Sequence, residues 1–188
     1  MEKLNFKIKI AVFISGRGSN LKNLIDYSKL KRSSFKISLV LSNKSNAKGL
    51  KYAKINKIKN YVFEKKLSLF EKEALKLIKK FNIKIVCLAG FMRILSPLFL
   101  KKVKIPVINV HPSLLPRLKG LDTHLRAIKE KHKYSGCTIH FVESNLDSGK
   151  IITQKKIKIL KKDTPKTLAK KILKLEHKAY IEALEKII

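Results

Sequence analysis

The chain is short of acidic residues, cysteine, arginine and long apolar stretches, and each shortage excludes something. Only 13 Asp and Glu stand against 44 Lys and Arg over 188 residues, a formal net charge of +31. The two cysteines, Cys87 and Cys137, both inside apolar runs, are too few for a disulfide framework and fit a reducing, cytoplasmic setting. The longest uncharged apolar stretch, residues 85–92, is too short to span a membrane. The start, Met1-Glu2-Lys3-Leu4-Asn5-Phe6, leads straight into a strand-like run and offers no signal-peptide region. The five histidines (His111, His124, His132, His140, His177) and the two cysteines lack the spacing of HExxH or paired CxxC sites, so no metal is expected.

What is present suits one compact domain over residues 1–188: 45% of the chain is hydrophobic, and a single core serves that length. The charge invites a nucleic-acid reading, but only Arg17, Arg32, Arg93, Arg117 and Arg126 are arginines. Dedicated readers of bases and phosphates favour the bidentate fork of Arg. The lysines are scattered over the polar positions of periodic segments, with no basic arm, zinc spacing or RNP-like aromatic motif. A lysine-biased solvated surface accounts for them. The rival, a basic nucleic-acid-binding protein, predicts tight DNA or RNA binding at physiological salt.

Strand and helix periodicities alternate along the whole chain. Strands are expected at 7–14, 35–41, 61–63, 83–89 and 103–110, the last broken by His111-Pro112. Helices are expected at 19–30, capped by Ser19, then at 47–56, 67–81 and 122–131, the last with Asp122 as cap. Segments 135–142 and 151–159 alternate apolar with polar around a turn at 145–149, and a closing helix starts at Thr164-Pro165. The pattern predicts an α/β fold: a mostly parallel, twisted sheet, helices on both faces, and an antiparallel C-terminal edge.

Three constellations carry chemistry. Ser15-Gly16-Arg17-Gly18-Ser19-Asn20 joins the first strand to the first helix, where small residues and a helix N-terminus suit a phosphate. It lacks the Gly-Lys-Ser/Thr of a Walker loop and the third glycine of a dinucleotide fingerprint, and a plain glycine turn fits equally well. In Asn109-Val110-His111-Pro112-Ser113-Leu114-Leu115-Pro116, Asn109 and His111 lie two apart on a strand and so face one side. Asn can stabilise an oxyanion while His moves a proton, although a structural histidine is the plainer alternative. Asn145-Leu146-Asp147-Ser148-Gly149 reads by itself as a hairpin turn. It gains chemistry only if the fold carries Asp147 to His111, where a carboxylate orients an imidazole.

These segments, together with Leu88-Ala89-Gly90-Phe91-Met92-Arg93-Ile94-Leu95, occur in an order that resembles the phosphoribosylglycinamide formyltransferases over nearly the whole chain. The resemblance implies a Rossmann-related, formyltransferase-like fold and transfer of a formyl group from 10-formyltetrahydrofolate, a co-substrate, to the amine of glycinamide ribonucleotide in purine synthesis. It implies Asn109, His111 and Asp147 as catalytic residues, with Gly18, Ser19, Asn20 and Glu176 for glycinamide ribonucleotide. For the folate it implies Met92, Arg93, Ile94 and Leu95 with Asn109 and the turn Glu143, Ser144, Asn145, Leu146 and Asp147. The chain departs from the family at Leu67, where Arg is common, and at Ser144 and Asn145, where acidic residues are common. Methionyl-tRNA formyltransferase and formyltetrahydrofolate deformylase share the Asn-x-His and Leu-Asp-x-Gly elements. Each is expected to need a further domain for which 188 residues leave no room. The expected partners are these small molecules, with no specific nucleic acid and no membrane; monomer and homodimer stay open.

Overall fold

The structure is a computed structural model that describes residues 6–188; residues 1–5, where no signal region is expected, lie outside the described residues. The chain divides into two compact units, Met1–Ile108 with Ile187–Ile188, and Asn109–Lys186.

The first unit alternates β1 (Ile8–Ile14), α1 (Ser19–Ser28), β2 (Phe35–Ser42), α2 (Leu50–Ile55), β3 (Lys59–Val62), α3 (Leu67–Lys80), β4 (Ile85–Leu88) and α4 (Pro97–Val103), and it starts β5 (Val107–His111). Strand order is β3-β2-β1-β4-β5, with β1 parallel to both β2 and β4, and β2 parallel to β3. A strand paired on both sides reads as an unbroken apolar run. Accordingly, every side chain from Ile10 through Ile14 is fully buried. Phe13 gathers the core aromatics, with Phe70 of α3, Phe91 and Phe99 of α4 at ring distances of 5.3, 5.7 and 6.4 Å.

The second unit takes β5 onward through α5 (Thr123–Lys129), β6 (Tyr134–Phe141), β7 (Ile151–Lys158) and α6 (Pro165–Ile187). Its strand order is β5-β6-β7, with β6 and β7 antiparallel, so the seven strands make a mostly parallel sheet with an antiparallel C-terminal edge. α6 buries Leu168, Ile172, Ala179, Tyr180, Ala183 and Leu184 at the three- and four-residue spacing of one helix face. Thr164 and Thr167 exchange side chain-to-backbone bonds at its start, which satisfies two N–H groups the helix leaves open.

The structure corrects the reading at two places. Residue 103 ends a helix rather than starting a strand: the Ser96 hydroxyl accepts the Phe99 N–H at 3.1 Å and Pro97 occupies the first turn, so α4 forms. Ser96 is itself held by the buried carboxylate of Glu71 on α3, which accepts its N–H at 2.6 Å and its hydroxyl at 2.7 Å. Gly18, not Ser19, is the residue that caps α1, because the chain enters that helix through a left-handed conformation. Asp122 is the N-cap of α5, as expected, but it makes no side-chain capping bond, its backbone being left-handed at φ 55°.

Candidate active site

In the first unit, β1 ends at Ile14 and the chain turns from Ser15 into α1 through Gly18, whose φ is +75°. The turn is locked by the Gly49 N–H, which donates to the Gly16 carbonyl at 2.9 Å. A Cβ on Gly18 would lie 2.4 Å from the Gly49 Cα, so only glycine meets both the torsion and the spacing. Ser19 and Asn20 follow as the first residues of α1, a helix N-terminus whose first turn holds no acidic side chain and whose dipole favours an anion. We expect Gly18→Ala to lower unfolding stability by about 2 kcal/mol or more, from the left-handed torsion and the backbone clash together. A urea midpoint unchanged from wild type would contradict this.

The second loop of this unit follows β4. The Ser15 N–H donates to the Gly90 carbonyl at 3.2 Å, and the Ser15 hydroxyl accepts the Met92 N–H at 2.7 Å while donating to Asn43 Oδ1 at 2.5 Å. One serine thus ties the Met92 loop to the end of β1. Met92, Arg93 and Ile94 are exposed and Leu95 is buried, so the loop presents apolar side chains outward on a fixed base.

The second unit holds the polar cluster. Asn109 and His111 project from the end of β5, and His111 is almost fully buried. Its Nε2 donates to the Leu118 carbonyl at 2.8 Å, and its Nδ1 lies 3.3 Å from Asp147 Oδ2. Both ring nitrogens therefore face acceptors. Asp147, its side chain 7% exposed, also accepts the Gly120 N–H at 2.9 Å. Gly149 seats the Asp147 turn against β6, since a Cβ there would lie 1.9 Å from the Phe141 carbonyl oxygen.

The loop that carries Leu118 is pinned from β6 and β7. Thr138 accepts the Leu115 N–H at 3.1 Å and donates to the Ser113 carbonyl at 2.7 Å, while Gln154 reaches the Leu115 carbonyl at 2.8 Å. Leu118 adopts φ 56°, a conformation that costs a bulky residue roughly 1–2 kcal/mol and aims its carbonyl at His111.

The sequence reading did not single out two histidines that belong with this cluster. His140 of β6 places Nε2 3.3 Å from Asn109 Nδ2 and 3.7 Å from Asp147 Oδ1, and its Nδ1 donates to the Phe141 carbonyl at 2.8 Å. Burial, the largest influence, holds its ring below the usual histidine range. His124 of α5 is shifted the same way by burial and by the charge of His111, and its buried Nδ1 has no hydrogen-bond partner among the described residues. The available signal was His140 itself, two positions from Thr138 and so on the same side of β6.

Thus Asn109, His111 and Asp147 come together around His140, while Glu143, Ser144, Asn145 and Leu146 stand exposed on the turn before Asp147. Glu176 is buried on α6. Its charge adds to the burial that pushes the Cys137 thiol up to about 12. Among the described residues, no group of His, Cys, Asp and Glu is placed to hold a metal ion, and no helix is long and apolar enough to cross a membrane.

Comparison with known proteins adds a family. The formyl transferase family pattern matches residues 8–184. A phosphoribosylglycinamide formyltransferase of Bacillus subtilis is 33% identical over 184 residues, covering 96% of this chain and 94% of its own length. The crystal structure of a phosphoribosylglycinamide formyltransferase from Brucella melitensis superimposes with a TM-score of 0.91 at 37% identity, covering 96% of this chain and 95% of that one. The human trifunctional purine biosynthetic protein adenosine-3 is 41% identical over 183 residues, 95% of this chain. This chain spans only 18% of that protein's length.

Proposed function

This chain belongs to the formyl transferase family, among the phosphoribosylglycinamide formyltransferases, and on that footing we propose that it moves a formyl group from 10-formyltetrahydrofolate to the amine of glycinamide ribonucleotide, giving formylglycinamide ribonucleotide and tetrahydrofolate. The observation that carries the reading is the buried His111–Asp147 pair beside Asn109, in a chain matched to that family from residue 8 to residue 184.

The chemistry divides among the chain's own residues. The formyl folate supplies the carbon to be transferred, and the amine of the ribonucleotide attacks it directly, so no enzyme nucleophile is required. Asn109 donates an amide N–H to the oxygen on which negative charge builds. As the new C–N bond forms and the bond from the formyl carbon to the folate nitrogen breaks, the attacking amine loses one proton and the departing nitrogen gains one; His111 relays that proton, and Asp147 holds the imidazole in place and balances its charge in transit. The Leu118 carbonyl engages the opposite ring nitrogen, which fixes the plane of the ring. His111 and Leu118 are buried, and away from water oriented dipoles act more strongly.

Binding roles follow the same reading. The turn at Gly18, Ser19 and Asn20 receives the phosphate of glycinamide ribonucleotide, and Glu176 serves that substrate's amine end. The exposed apolar side chains of Met92 and Ile94, with Arg93, Leu95, Asn109 and the turn Glu143, Ser144, Asn145, Leu146 and Asp147, suit the flat ring of the folate. At the family's arginine position stands Leu67, the first residue of α3, with exposed Lys65 and Lys66 beside it. Lysine gives a point charge for a glutamyl carboxylate without a bidentate fork. We read residues 1–188 as one formyltransferase domain acting in the cytoplasm, a setting consistent with the free, buried Cys87 and Cys137. Its partners are small molecules rather than nucleic acid, and it acts as a monomer or homodimer.

The test is a transfer assay with purified protein, 10-formyltetrahydrofolate and glycinamide ribonucleotide, following deformylated folate. Transfer that needs glycinamide ribonucleotide and does not occur with methionyl-tRNA supports the assignment; the reverse pattern overturns it. Both substrates are anionic, so the net charge of +31 should steer them inward. We expect kcat/KM to fall as salt rises from low to physiological ionic strength. A kcat/KM indifferent to salt would leave the charge without a role in capture.

A further inference from the structure

Asn109, His111 and Asp147 are the residues the family reading supplies; His140 is the one that the geometry adds. We propose that His140, as a neutral ring with its proton on Nδ1, is the positioning residue of this site: it fixes which end of the Asn109 amide is its N–H end, and it leaves Asp147 to His111. The proposal rests on the formyl-transfer reading for its kinetic consequence, though not for its structural one.

The Nδ1 of His140 is 2.8 Å from the Phe141 carbonyl oxygen, which only accepts, so Nδ1 carries the proton. A neutral ring protonated there has a bare lone pair at Nε2. That lone pair lies 3.3 Å from the Asn109 side chain, so Asn109 must turn its NH₂ group toward it. An amide has two hydrogens on that nitrogen; the second remains for the reaction oxygen. If Nε2 gained a proton, it would become a donor, and Asn109 would have to present its oxygen instead. The amide would reverse, and its donor would move away from the position that the reaction needs.

The same proton changes Asp147. Oδ1 lies 3.7 Å from His140 Nε2, while Oδ2 serves His111 and the Gly120 N–H. A neutral His140 offers Asp147 no hydrogen, so the carboxylate stays with His111. A cationic His140 would compete for it. The charged and titratable groups acting on His140 are Asp147 and Glu143, which favour its cation, and His111, which opposes it. Burial outweighs them and keeps the ring neutral until the pH falls below histidine's usual value of about 6.5. Both consequences of protonation damage the site, so the loss of function lies on the acid side.

The register of β6 supports this placement. The β6–β7 pairing shifts between Ile139 and His140, an irregularity of the kind that re-aims a side chain. His140 is 2% exposed, so no solvent competes for its Nε2.

The test combines NMR of the imidazole nitrogens with steady-state kinetics of wild type, His140→Gln and His140→Phe. At neutral pH we expect His140 as the Nδ1–H tautomer, with the Asn109 side-chain NH₂ signals moving only when His140 titrates. We expect His140→Phe to lose roughly 10- to 100-fold in kcat with both KM values little changed, the signature of a misplaced group rather than a lost binding contact. His140→Gln keeps an acceptor oxygen for Asn109 and guards against a folding defect. It should recover most of kcat and lack the acid-side fall of wild type. An Nε2–H tautomer at neutral pH overturns the proposal, as does His140→Phe with wild-type kcat and an unchanged acid limb. If wild type transfers no formyl group, the functional reading fails, while the tautomer and the Asn109 signals still decide the positioning.

Discussion

Replacing His111 with alanine is expected to lower kcat by roughly 10²–10⁴-fold, the range spanned by a positioned general acid or base. His111 Nε2 donates to the Leu118 carbonyl and Nδ1 faces Asp147, so both atoms that can carry a proton are engaged and the ring has one orientation. Leu118 holds a left-handed backbone to make its contact, which is strain maintained for a ring of that shape. Alanine leaves Asp147 without its imidazole partner and the Leu118 carbonyl without a donor. The fold should survive, because His111 sits at the end of β5 and the loop after it is tied separately by Thr138 and Gln154. Circular dichroism and a thermal melt check the fold, and a single-turnover transfer assay checks the chemistry. A folded variant with near-normal turnover would exclude His111 from the reaction.

The second large effect is at Asn109, where Asn109→Asp should lose about 10²–10³-fold in kcat, the loss typical of removing one oxyanion donor. The replacement has almost the same shape. It differs in having no N–H to donate, either to the reaction oxygen or to His140 Nε2 at 3.3 Å. It also adds a negative charge to a buried cluster that already holds Asp147. We therefore expect Asn109→Asp to be more impaired than Asn109→Ala. If Asn109 served only to fill space, the order would be the opposite, since aspartate conserves volume and alanine does not. Measuring kcat for both variants decides between donor and filler.

Much of the architecture was readable from local pattern. The apolar run from Ile10 to Ile14 in β1, the alternation in β7 and the spacing of the buried face of α6 each follow from side-chain direction along one element. The errors share a cause. α4 was read through because its helix signal is seven residues long and depends on Ser96, a cap that Glu71 holds from α3. Ser19 looks like a cap by residue type, yet the chain enters α1 through Gly18, and Asp122 holds the N-cap position of α5 only through a left-handed backbone with no side-chain bond. Backbone torsion at a turn is set by what the turn must join, which residue type alone does not reveal.

By itself, the sequence determined the order of elements apart from α4, the shared side of Asn109 and His111 on β5, and the motif set that points to formyl transfer. Those are relations between residues a few positions apart, and local periodicity encodes them. Only the tertiary structure decided that Asp147 closes on His111, that the Leu118 carbonyl takes the other ring nitrogen, and that His140 faces Asn109 from 31 residues away. Such pairs depend on strand register, on the irregularity between Ile139 and His140, and on a left-handed turn at Asp147. A register change of one residue would turn His140 to the opposite face of β6 and leave its composition unchanged.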